Sequence, residues 1–170
     1  VVSVLLFLAN VVRFSWPTGI QALYARLSQG FLLATVMVGF VFIANQSHGW
    51  FAITPGVLAA HAHLGLLGWI GLTLMGVSYQ LVPMFNLARG GRPRFAVAAL
   101  VLVGGGIPVF AAGMISDPER PVRILLGMPL LAGFALFGLD EFRLFRARSR
   151  RKLDVQGRSL PVTMMFLAGT

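Results

Sequence analysis

Three histidines, His48, His61 and His63, are the side chains in this sequence best suited to holding a metal or a cofactor. Cysteine is absent, which excludes disulfides, thiolate ligands and cysteine nucleophiles. Residues 30–44, 57–85 and 95–116 contain no Asp, Glu, Lys or Arg. Ionisable groups at membrane depth are expensive and usually functional. Their absence from these apolar stretches disfavours a carboxylate-driven pump or transporter, and leaves imidazole as the buried chemistry.

His61 and His63 occur together in Ala59-Ala60-His61-Ala62-His63-Leu64. On a helix, two residues apart means about 200° apart, so the rings point to opposite sides. Below His61 the same face carries Gly65, Gly68, Leu72, Gly76, Tyr79 and Pro83; below His63 it carries Leu67, Ile70, Leu74 and Leu81. Two readings stay open for this helix. A glycine stripe lets a second transmembrane helix approach closely, with the histidine reaching interfacial water or a carbonyl. Alternatively, a histidine crowning a small-residue groove is an axial ligand for heme iron, which neutral imidazole commonly binds. Because the rings diverge, both cannot ligate one iron, and a second ligand would come from another helix or subunit. Gly65 and Gly68 leave volume for a porphyrin edge under His61, which makes it the stronger ligand candidate. The His63 face suits lipid, helix packing or an apolar pocket wall. His48 is flanked by Ser47, Gly49 and Trp50, and reads as an interfacial loop residue beside an aromatic anchor.

The elements that position these residues follow from composition. Of 170 residues, 57% are hydrophobic and 11% charged, against about 45–50% and about 25% in soluble domains. This excludes a soluble globular enzyme, a disordered tail and a collagen-like chain. The expectation is an all-α, polytopic transmembrane helical bundle, since apolar runs without strict alternation disfavour a barrel. Four complete spans are expected, at about Ser28–Ser47, Val57–Met84, Phe95–Ser116 and Val122–Phe142. Each can cross a hydrocarbon core of about 30 Å. Val1–Val12 and Leu160–Thr170 are apolar but shorter, and are expected to be two partial spans. Residues 1–170 then form a single transmembrane domain, a segment of a longer chain.

Basic residues set the orientation. Alternate loops place twelve Lys and Arg on one side and two, Arg120 and Arg123, on the other. By the positive-inside rule the first side is cytoplasmic, and Asn45–Gly56 with His48 and Trp50 faces outward. Arg26 is assigned to the first inner loop. The Arg143–Lys152 cluster is a topology anchor that attracts anionic lipid; docking of an acidic partner or nucleic acid is the less favoured reading, and no nucleic-acid partner is expected. Asp140 and Glu141 are expected to form screened local pairs near Arg143. Gly104-Gly105-Gly106 with Pro108, and Pro129, mark flexible or kinked points. The triple glycine has no following Lys-Ser or Lys-Thr and is no phosphate loop. No serine triad, zinc helix, dinucleotide fingerprint or Met-x-x-Met copper site is present.

His61-Ala62-His63-Leu64, followed by Gly68-Trp69, Gly76, Tyr79, Leu81 and Pro83-Met84-Phe85, resembles the second-helix signature of the heme-copper oxidase subunit I superfamily. The similarity is greatest to its divergent nitric oxide reductase-like and NnrS-like branches, and covers about 25 residues. The resemblance implies a low-spin, b-type heme ligated by His61 or His63 near the outer end of an out-to-in helix, with Gly65, Gly68 and Tyr79 lining the cofactor. It implies electron transfer or nitric oxide/oxygen-related chemistry in a bacterial inner membrane, with copper as a possible second metal and further subunits or a homo-oligomer. The chain departs from the family pattern in having three histidines in all, too few for a dinuclear gas-reducing centre. The competing expectation is a non-catalytic bundle or transporter-like subunit in which both histidines are structural.

Overall fold

The computed structural model describes residues 6, 9, 19–86 and 93–147. Helix α1 spans Ile20–His48. The second span is continuous but changes winding: α2 (Pro55–His63), a π-helical segment (Leu64–Gly71) and α3 (Leu72–Asn86). Helices α4 (Pro93–Ser116) and α5 (Arg120–Arg146) complete the described chain. The chain is an all-α helical bundle with four helices long and apolar enough to cross a membrane, and we describe it as a multi-pass integral membrane protein. The expected partial spans at Val1–Val12 and Leu160–Thr170 lie outside the described residues, apart from Leu6 and Ala9, which are helical.

Boundaries follow local chemistry. Gly49 ends α1 in the left-handed conformation (φ 64°), and its N–H donates to the Asn45 carbonyl at 2.7 Å, a closure glycine makes without a Cβ penalty. Thr54 caps α2, its hydroxyl accepting from the Val57 N–H at 3.3 Å, and Pro55 occupies the first turn, where its missing N–H is no loss. Helix α1 begins eight residues before the expected Ser28, so Arg26 is helical and not in a loop. Its 29 residues rise about 43 Å, beyond the hydrocarbon core, which lets the exposed Arg26 side chain lie at the interface.

Small residues decide how closely the spans pack. A Cβ at Gly106 would sit 3.1 Å from the Leu130 backbone nitrogen, and one at Gly133 would sit 3.0 Å from that of Val103. Helices α4 and α5 therefore meet nearly backbone to backbone. Gly56 brings the start of α2 against the Met114 carbonyl of α4. Helix α4 continues through Gly104–Gly106 and Pro108. Gly104 accommodates Leu27 of α1. The core runs through Tyr24, Leu72, Met75, Val103, Ile107 and Leu130. Ile43, Leu66, Val101, Leu125 and Leu131 are exposed, as lipid-facing residues should be. Hydroxyls inside the helices bond back to their own backbone: Thr35 to Phe31 O at 2.8 Å, and Thr73 to Trp69 O at 2.6 Å.

Candidate functional site

His61 and His63 close the last turn of α2, immediately above the π-helical segment. Their rings diverge as the spacing requires. His61 turns toward α1: its ring centroid lies 5.2 Å from that of Phe42, and Gly39 opposite leaves 3.8 Å between a would-be Cβ and His61 Cε1. Its Nδ1 is buried and has no hydrogen-bond partner among the described residues. A buried polar nitrogen without a partner is uncommon and energetically unfavourable. His63 turns toward α4 and meets Phe110 edge-on at 5.5 Å. Its Nδ1 lies 2.7 Å from the Ala59 carbonyl. A carbonyl only accepts, so that nitrogen carries the proton; in the neutral ring this leaves the lone pair on Nε2, the form in which imidazole binds a metal.

The small-residue face is occupied. A Cβ at Gly65 would meet Thr35 Cγ2 at 3.3 Å, and one at Gly68 would meet Phe31 Cγ at 2.5 Å. Further down, Gly76 abuts Tyr24, with a would-be Cβ 2.7 Å from its Cβ. The open volume expected under His61 is thus filled by α1, and a flat macrocycle does not fit that groove. A neighbouring strip of the second span is uncovered: Ala62, Leu66, Ile70 and Leu74 are exposed, and Ala62 lies between the two histidines in sequence.

Tyr79 does not share a site with the histidines. It lies 18 residues beyond His61, about 27 Å at the α-helical rise. There it is buried, its ring 5.5 Å from Tyr24 and 5.4 Å from Phe137. His48 is exposed, bonds Ala44 O at 2.9 Å and stacks on Trp50 at 4.8 Å. The loop beyond it is held by Asn45, whose amide donates to Phe51 O at 2.8 Å and accepts from Phe51 N–H at 2.9 Å. Among the described residues, no three of His, Cys, Asp and Glu gather as a metal site.

The acidic pair differs most from expectation. Asp140 and Glu141 are each 2% exposed, so water does not screen them. The Arg143 guanidinium lies over the Phe95 ring at 4.9 Å. Before the start of α5, Asp117 pairs with Arg123 at 2.5 Å on the surface. Sequence reading missed this burial because α5 is apolar on nearly every side, so its inward face cannot be told from periodicity. The adjacent Asp and Glu between Leu139 and Phe142 were the available signal. Reading also missed the π-helical winding, for which the glycines at 65, 68 and 71 were the available hint. Comparison of the chain with protein-family models, with curated proteins and with solved structures found no match.

Proposed function

We propose that this chain is part of a membrane heme protein in which the outer end of the second span supplies an axial imidazole, in service of electron transfer or nitric oxide/oxygen-related chemistry. The observation that carries the reading is the buried, unpartnered Nδ1 of His61, beside a π-helical segment of the kind that often accompanies functional sites. Iron ligation is one way a buried imidazole becomes satisfied. His63 is the second candidate, its proton fixed on Nδ1 by Ala59. The porphyrin does not enter the α1-facing groove, so ligation requires the His61 ring to turn toward the uncovered strip, where Ala62, Leu66, Ile70 and Leu74 offer an apolar wall. A bound b-type heme supplies one-electron redox chemistry; the chain's own residues hold the ligand and exclude water. Copper, a bacterial inner-membrane location, anionic lipid at Arg143–Lys152 and further subunits or a homo-oligomer belong to the same proposal.

A second reading has its own support. Thr35 and Phe31 fill the face below His61, as a bundle with structural histidines requires. Full-length protein purified from heme-replete cells separates the two. The heme reading expects a Soret band and split visible bands on reduction, abolished in His61→Ala and weakened or shifted in His63→Ala. Loss in His63→Ala alone reassigns the ligand. A colourless preparation free of iron and copper establishes the structural bundle.

A further inference from the structure

The basic end of the bundle holds polar groups that the heme reading does not use. Glu141 is 2% exposed, and neither carboxylate oxygen has a hydrogen-bond partner among the described residues. Asp140, the preceding residue, is equally buried. Tyr79 of α3 is also buried. Its ring packs on Phe137, one turn before Glu141 on α5. Tyr24 of α1 has already given its proton to the Ala96 carbonyl of α4, at 2.9 Å. Among the described residues, Arg94 and Arg143 lie over the Phe95 ring and Arg146 over that of Phe142.

A carboxylate removed from water without a counter-charge is strongly disfavoured, and it neutralises by taking a proton. A second carboxyl group on the adjacent residue reinforces this, because two like charges in one apolar site repel. Intramembrane ionisable residues are rare and tend to mark proton or ion paths. We propose that Glu141, with the buried Asp140 carboxyl group on the adjacent residue, forms a proton-binding site at the basic end of the bundle. The proton comes from water on that side, an O–H bond forms on a Glu141 oxygen, and no electron moves.

The test uses the full-length protein in lipid nanodiscs. Dicyclohexylcarbodiimide couples to protonated carboxyl groups in apolar surroundings, and peptide mass spectrometry locates the adduct. The expected result at neutral pH is modification of Glu141, unaffected by excess sodium or potassium, and reduced by at least an order of magnitude in Glu141→Gln. Infrared spectra should show a carboxylic acid carbonyl band that shifts in deuterated water and is lost in the same variant. No adduct on Glu141 together with no acid band overturns the proposal. Protection by sodium or potassium overturns it as well, by identifying a metal-cation site. Should Glu141→Gln fail to fold, the mapped adduct and the deuterium-sensitive band of the unaltered protein decide the matter alone.

Discussion

Replacing Gly68 with alanine tests whether the glycine face below His61 is a helix contact or a cofactor slot. The added Cβ would lie 2.5, 2.7 and 2.8 Å from Cγ, Cδ1 and Cβ of Phe31. Carbon atoms in ordinary contact sit about 3.5–4.0 Å apart, so a relief of roughly 1 Å is needed. Rotating Phe31 about its first side-chain torsion moves Cγ and Cδ1, but Cβ is fixed to the backbone and stays too close. Helix α1 must therefore retreat, which also loosens Thr35 against Gly65. Overpacking of this kind costs typically about 1–3 kcal/mol, and the fixed Cβ places Gly68→Ala in the upper half of that range. Alanine regains up to about 1 kcal/mol of helix propensity on the scale measured in water, leaving a net loss of about 1–2 kcal/mol. Gly105→Ala is the control: a Cβ there meets nothing within 4 Å, so it should be neutral or stabilising. Far-UV circular dichroism of cofactor-free protein during detergent-driven unfolding measures both variants. Unchanged stability in Gly68→Ala, with less bound heme in the loaded protein, would refute the packing argument and return the groove to the cofactor.

Asn45→Ala removes both hydrogen bonds to Phe51. At about 0.5–1.5 kcal/mol each, the expected loss is about 1–3 kcal/mol, with faster amide exchange confined to residues 49–54. Asn45→Asp keeps the acceptor and loses the donor, so it should fall between alanine and wild type. For topology, cysteines introduced at Ser47 and Ser149 should label from opposite sides of the membrane, as the distribution of twelve basic residues against two requires. Labelling of both from one side would overturn that orientation.

The four spans were legible because each depends on a long apolar run, a signal carried by many residues at once. The shared face of the glycines was legible too: Gly65, Gly68 and Gly76 all meet α1. What filled the glycine face was not legible. Glycine density says that something comes close, and only the packing of α1 identifies Phe31, Thr35 and Tyr24 as the neighbours. Arg26 was placed in a loop because charge usually marks a span's edge, yet a long side chain can stay on the helix and still reach water. The burial of Asp140 and Glu141 depends on the packing of α5 against α3 and α4, which the sequence of α5 alone does not show. The divergence of His61 and His63 is local geometry and was read correctly; the hydrogen-bond states of their ring nitrogens depend on three-dimensional surroundings and were not.

The π-helical segment has a consequence for how the second span can be altered over evolutionary time. Bonds of the i→i+5 type advance the chain around the axis by less per residue than α-helical bonds do. Leu64–Gly71 therefore acts as a phase adjuster between two rigid rods, Pro55–His63 and Leu72–Asn86. Gaining or losing one residue in an unbroken α-helix would swing every later side chain by about 100°. Here a wider or tighter winding can absorb the change, leaving Leu72, Met75 and Tyr79 seated in the core. The imidazole end and the Tyr79 end of this span are in that sense separately adjustable, and substitutions tuning one need not rotate the other out of place.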